Sequence, residues 1–292
     1  MRGVSLASER PAVLGCVAIK IAALSTVALL LSAAAAAQTQ TPISSDVAKE
    51  IQKNNQNPIK PEDAVPVRNE PHHVLMLQND YVHVFNVTVP PLDATLLHQH
   101  DLPYIYLTLG TTDIINAVKG QPEVHMTLED GATRYSPGGF AHIARTDAGI
   151  LFHNITVELA HPQASPHNLG DHANDRPLGS CPQSSADTKQ HEQVPFERMT
   201  GCFETDEVRM DMATIQGGKI YEEAAPRAGT LLIAMSNSSL EVSLGGEHAA
   251  FLHEADVLWL PAGTSRKVAD LLGTRSRFVL ISFKDSGAAA AK

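Results

Sequence analysis

Cysteine, basic charge, helical periodicity and long apolar runs are all scarce in this sequence. Its three cysteines show no C-x-x-C spacing, which weighs against a zinc–thiolate site. Lysine and arginine number 22 against 32 aspartates and glutamates, a formal net charge of −10. That balance excludes a nucleic-acid binder and a protein that docks on anionic membranes, and it counts against polyanionic substrates. The single long apolar run, residues 21–31, follows Arg2, Arg10 and Lys20 and precedes alanine-rich residues 33–37. This order is that of a secretory signal peptide cleaved near Ala37, giving a secreted or periplasmic chain. No second run of that kind follows, so no membrane association is expected after cleavage. Cys16 lies before the apolar core rather than after it, which rejects a lipoprotein site. A helix is expected only over 46–53, capped by Ser45 or Asp46.

After the leader, 1–37, a polar arm over 38–73 is broken by Pro42, Pro58, Pro61 and Pro66. Short β-rich runs bounded by turn residues then predict strands over 81–89, 104–109, 114–118, 124–128 and 150–159, within a block of 74–160. A proline-, serine- and histidine-rich connector occupies 161–202. A second strand-rich block covers 203–285, with runs over 208–215, 230–235, 240–244, 250–253, 257–260 and 278–283. A flexible alanine-rich tail closes the chain over 286–292. The expected class is all-β, two small barrels or sandwiches joined by a polar connector. The blocks share a turn grammar: Asp130-Gly131 leads to Pro137-Gly138-Gly139, and Glu254-Ala255 leads to Pro261-Ala262-Gly263, as in an internal duplication. Cys181 and Cys202 remain after the leader is removed. In an oxidising compartment they read as a disulfide closing about twenty residues, worth roughly 3 kcal/mol.

Fourteen histidines are many for a chain of this size. His98 and His100 have the i, i+2 spacing that places two strand side chains on one face, roughly 6.5–7 Å apart. His142, just past the Pro-Gly-Gly turn, is the best placed third donor for one metal ion. His125 and His153 could face a barrel interior, but no spacing includes them. His72 and His73 are expected in a loop before the first strand, and the connector histidines read as chance clustering. Arg134 and Arg145 flank the His142 motif, either as carboxylate ligands or as solvated strand ends.

These residues resemble the cupin superfamily, and the whole chain resembles a bicupin: two double-stranded β-helix (jelly-roll) barrels. The second cupin motif, G-x5-P-x-G-x2-H-x3-N, is matched by Gly131, Pro137, Gly139 and His142, with Thr146 in place of asparagine. The first, G-x5-H-x-H-x(3,4)-E-x6-G, is matched at His98, His100 and Gly110. Leu92 stands for the first glycine, and Tyr104 or Ile105 for the glutamate. The resemblance therefore implies metal roles for His98, His100 and His142. Tyr104 shares their face as a candidate fourth ligand, hydrogen-bond donor or substrate contact. In the second block Arg266 replaces the motif histidine and Tyr221-Glu222-Glu223 the H-x-H pair, so that barrel is read as degenerate, with Trp259 as a core anchor.

Three imidazoles around one divalent transition metal (Fe, Mn, Zn, Cu or Ni) leave a coordination position open and favour an anionic small-molecule ligand. The first expectation is a small-molecule metalloenzyme, a class the resemblance permits without selecting it, dioxygenase-like in its commonest form. A non-catalytic ligand-binding protein or a structural bicupin is the alternative, with a homodimer among the expected assemblies. No catalytic base can be named from the sequence.

Overall fold

Runs of β-branched and aromatic residues become strands throughout the computed structural model, which describes residues 64–170, 173–182, 197–216, 218–273 and 275–284. The expected leader, most of the arm, part of the connector and the tail lie outside these residues. The first block holds β1 (Val65–Pro66), β2 (His73–Gln78), β3 (Val82–Val89), β4 (His98–His100), β5 (Tyr104–Thr108), β6 (Thr112–Val118), β7 (Val124–Leu128), β8 (Thr133–Ser136), β9 (Phe140–Arg145) and β10 (Phe152–Leu159). After β11 (His167–Asn168) come β12 (Glu197–Glu204), β13 (Val208–Gln216), β14 (Ile220–Glu223), β15 (Thr230–Ala234) and β16 (Ser239–Leu244). The last four are β17 (Glu247–His253), β18 (Val257–Leu260), β19 (Arg266–Asp270) and β20 (Arg275–Phe283). No α-helix occurs among the described residues, and the class is all-β.

The strands form four sheets, ordered β1-β4-β9-β6-β7 and β2-β3-β10-β5-β8 in the first barrel, β11-β12-β13-β20-β15-β18 and β14-β19-β16-β17 in the second. Strict alternation along β10 explains how they stack. Ile155, Val157 and Leu159 point outward into a core shared with the second barrel, where they meet Phe203, Met210, Leu231 and Val279. Phe152 points inward, with Phe85 and Val87 of β3 and Ile114 and Ala144 of the opposite sheet. A sheet covered on both faces needs nearly continuous apolar strands, and β3, β5 and β10 have them. The second barrel has its own interior of Leu232, Leu240, Val242, Leu260 and Phe278. Trp259, expected as an anchor inside that barrel, instead joins the two: its ring stacks on Tyr81 of the first block at 5.3 Å.

Two expectations need correction. The polar arm is expected to run to residue 73, but Val67, Glu70 and His73 are buried, and Val65–Pro66 pairs in parallel with β4 as an edge strand. Pro66 is tolerated there because an edge strand need not donate on both sides. Within the expected connector, β12 is a full strand of the second barrel, paired with β13 along its length. The connector also carries the Cys181–Cys202 disulfide, both cysteines buried in the shared core. Beside it, Leu178 O accepts from the Tyr135 N–H at 3.0 Å, and the Ser180 hydroxyl donates to Thr133 O at 3.2 Å. Gly179 permits this approach, since a Cβ there would sit 2.3 Å from the Tyr135 nitrogen.

Candidate metal centre

The turn between β8 and β9 determines where His142 lies. Gly138 has φ +71, and a Cβ on it would fall 2.2 Å from the Leu102 carbonyl oxygen, so only glycine lets the turn press against the chain leaving β4. The Gly139 N–H then donates to His100 O at 2.7 Å. This contact aligns β9 with β4, so that His142 pairs directly opposite His98 and their rings lie 4.4 Å apart. His100, two residues along, brings its ring to 5.1 Å from His98 and 5.5 Å from His142.

The sequence reading missed a fourth imidazole. His73, expected in a loop, opens β2, is 8% exposed, and places its ring 4.6 Å from His98 and 5.7 Å from His100. His73, His98 and His100 each offer a ligand atom, and these lie within 4.8 Å of one another. His73 reaches the site because β2 pairs with β3 at His73↔Val87, whose side chain faces the barrel interior. That register is a long-range fact with no local spacing to announce it.

Each of the four rings is held at Nδ1. His73 donates to Glu70 Oε2 at 2.6 Å, His98 to Leu96 O at 2.9 Å and His142 to Asn116 Oδ1 at 2.7 Å. Nδ1 of His100 lies 3.2 Å from Glu158 Oε1. A ring held as a donor at Nδ1 keeps its lone pair on Nε2, the arrangement usual for metal-binding histidines. The Nε2 atoms of His98 and His142 are buried and have no hydrogen-bond partner among the described residues. Burial and the neighbouring imidazoles push His98 down to about 3 and hold His142 well below the ordinary histidine value. Burial also lowers His73, against the opposing pull of Glu70. All three are neutral near pH 7, as metal ligation requires. Orphaned buried nitrogens are costly in an apolar interior. A divalent transition metal bound by this donor set would remove that cost, so the residues fit such an ion.

Tyr104 lies beside the histidines: its ring stacks on His100 at 4.3 Å, and burial pushes its hydroxyl up to about 12. It is a neutral phenol lining the cavity. Of the other histidines considered, His125 is exposed on β7, while His153 faces Asn86 and Glu254 at the joint between barrels. Leu92 and Ala255 stand where the motif has glycine, and both have positive φ, +62 and +69, keeping the turn without its usual residue. Thr146, in the place of the motif asparagine, ties its hydroxyl to Pro90 O at 2.7 Å.

A cavity of about 220 Å³ opens beside the histidines. Its walls are Ile114, Met126, Phe140 and Phe152 with Asn154 and Thr156 from β10, and His73, His100 and His142 reach its surface. Among the described residues, no carboxylate lines it. Glu70, Asn116 and Glu158, which orient the rings, carry no motif that marks them in the sequence. Glu158 leaves a trace there, as an acid inside the otherwise apolar run of β10.

No family model and no curated protein sequence matches this chain. Among solved structures, AerE from Microcystis aeruginosa superposes with a TM-score of 0.55 at 11% identity, covering 75% of this chain and 96% of AerE. Salicylate 1,2-dioxygenase from Pseudaminobacter salicylatoxidans superposes with a TM-score of 0.51 at 12% identity, covering 81% of this chain and 82% of its own. A cupin 2 conserved barrel domain protein from Leptotrichia buccalis gives 0.45 at 9% identity, covering 73% and 88%. At such identities the likeness is one of fold.

Proposed function

We propose that this chain, a bicupin by fold, is an exported metal-dependent enzyme that acts on a small molecule inside its first barrel. The observation that carries this reading is the pair of orphaned Nε2 atoms, on His98 and His142, buried beside a ligand-sized cavity. His98, His100, His142 and His73 would hold the ion. When bound, it would supply a Lewis acid and, if it is iron, copper or manganese, a centre for oxygen chemistry. The protein's own contribution is to keep His73, His98 and His142 neutral by burial, to orient the rings through Glu70, Asn116, Glu158 and Leu96 O, and to limit the reacting volume with apolar walls. Dioxygenase-type chemistry is the form we favour. The salicylate dioxygenase shares the fold, and its substrate is offered only as a model for size. Export rests on the leader-like residues 1–37, and a disulfide between Cys181 and Cys202 is compatible with it.

The test is metal content by mass spectrometry on protein purified without added metal, beside His98→Ala. About one equivalent in the native chain and little in the variant supports the site, and the identity of the metal selects the assay. Iron, copper or manganese leads to oxygen consumption with small-molecule panels, and zinc to hydrolysis or isomerisation. Failure to take up any metal, even on reconstitution, would remove the proposal.

A further inference from the structure

Two arginines flank the His142 motif, and the structure treats them oppositely. Arg145 is buried and fully partnered: its guanidinium donates to Glu123 at 2.7 and 2.9 Å and to Asp147 at 3.2 Å. Arg134, on β8, lines the cavity with the alternation that also brings Ser136 inward. It is half-buried, and its side-chain hydrogen bond is weak, from Nη1 to the Met126 sulfur at 3.8 Å. It has no carboxylate partner among the described residues, and the cavity lining contains no aspartate or glutamate. The chain as a whole is acidic, so a cation left without a counter-charge in a mostly apolar cavity stands out against its surroundings. A partly desolvated guanidinium is costly until an anion pairs with it, and a carboxylate matches its two-pronged donor geometry.

We propose that Arg134 is the carboxylate anchor of this cavity, and that its ligand is a small carboxylate with an apolar, ring-sized body. The body lies against Ile114, Met126, Phe140 and Phe152. The volume, below the roughly 300–1,000 Å³ of drug-sized sites, sets the upper limit on size. The inference deepens the reading above and rests on its cavity being the ligand site. It does not require the metal, because Arg134 belongs to β8 and none of the histidines does.

The experiment is calorimetric titration of benzoate and of benzyl alcohol into the whole chain, metal-loaded and chelator-stripped, for native protein, Arg134→Gln, Arg134→Lys and His98→Ala. Benzoate is expected to bind native protein with and without metal, and more tightly than benzyl alcohol. Arg134→Gln is expected to weaken benzoate by about ten- to hundred-fold while leaving benzyl alcohol unchanged, with partial recovery in Arg134→Lys. Equal benzoate affinity in Arg134→Gln and native protein overturns the proposal, as does equal binding of alcohol and acid. Loss of benzoate binding on metal removal, with no effect of Arg134→Gln, puts the carboxylate on the metal: Arg134 is then wrong and the metal reading stands. The expected Arg134 effects in a protein that takes up no metal uphold the anchor and remove the metal reading. If Arg134→Gln does not fold, Arg134→Lys carries the test, and native-like benzoate affinity together with native-like preference over the alcohol in His98→Ala keeps the anchor independent of the histidines. Absence of benzoate binding at millimolar concentration also overturns it.

Discussion

The two barrels are built on one plan and filled with opposite chemistry. On β10 the outward residues are Ile155 and Val157, and the inward ones Asn154, Thr156 and Glu158. On β20 the outward residues are Val279 and Ile281, and the inward ones Phe278 and Leu280. The outward sets are interchangeable because both meet in the shared core. The inward sets decide whether a barrel has an open cavity with some polar lining or a packed apolar interior. The paired strands of the opposite sheets differ in the same way. In the first barrel β4 and β9 bring His98 opposite His142. In the second, β14 and β19 bring Glu223 opposite Arg266. Arg266 is 1% exposed and donates from Nε to Glu223 at 2.8 Å, while the Tyr221 hydroxyl donates to the same carboxylate at 2.7 Å. A fixed guanidinium thus occupies the position where the first barrel presents an imidazole. Where the first barrel gathers imidazoles on paired strands, the second holds an internal ion pair.

The largest effects should separate these roles. His98→Ala is expected to reduce bound metal to background, and with it any stabilisation that added metal confers on the native chain. Arg266→Ala is expected to leave metal stoichiometry unchanged and to cost about 2–4 kcal/mol in urea denaturation, chiefly from the cavity it opens, with Glu223 losing its cationic partner but keeping the Tyr221 hydroxyl. Metal loss in Arg266→Ala would mean that the barrels are coupled through the shared core more tightly than their separate interiors imply.

The turn glycines give the next effect. Gly138 and Ala262 hold the same place in the two Pro-x-Gly turns. Only at Gly138 would a Cβ strike backbone, 2.2 Å from Leu102 O, and only there is φ positive. Gly138→Ala should therefore cost about 2–4 kcal/mol and weaken metal binding, because the turn can no longer hold β9 against β4. Ala262→Gly should cost less than about 1 kcal/mol and leave metal untouched. Denaturation and metal-competition titration of both variants decide the point. Equal costs would show that the turn does not position His142.

How much of this could be read beforehand depended on whether the cause was local. The closeness of His98, His100 and His142 was legible because strand parity and a turn motif are each written within a few residues. So were the all-β class and the two blocks, since alternation and turn residues repeat along the chain. His73 was not legible. Its place is set by the pairing of β2 with β3, and two adjacent histidines after a proline look like any loop. Arg134 and Arg145 look alike as residues flanking a motif, and only Glu123, twenty-two positions before Arg145, separates a structural arginine from one facing the cavity. Trp259 was legible as a packing residue but not as a joint, because nothing near it in sequence identifies Tyr81 as its partner.

The smallest effect tests the other pair of equivalent turn positions, Gly131 and Ala255. Both have positive φ, +85 and +69, so the backbone shape has survived loss of the glycine in the second barrel. A Cβ on Gly131 would meet the Arg277 and Met212 side chains at 3.4 Å, ordinary contact, so Gly131→Ala should cost only the left-handed conformation, about 1–2 kcal/mol. Ala255→Gly removes that same strain of about 1–2 kcal/mol, but it adds chain entropy of roughly 0.5–1 kcal/mol and gives up a buried methyl worth up to about 0.8 kcal/mol. The sum should fall within about 0.5 kcal/mol of zero. Chemical denaturation of the two variants measures the asymmetry. Stabilisation by more than about 1 kcal/mol in Ala255→Gly would mean that the methyl does not compensate the strain through packing in the shared core, where Ala255 is 6% exposed.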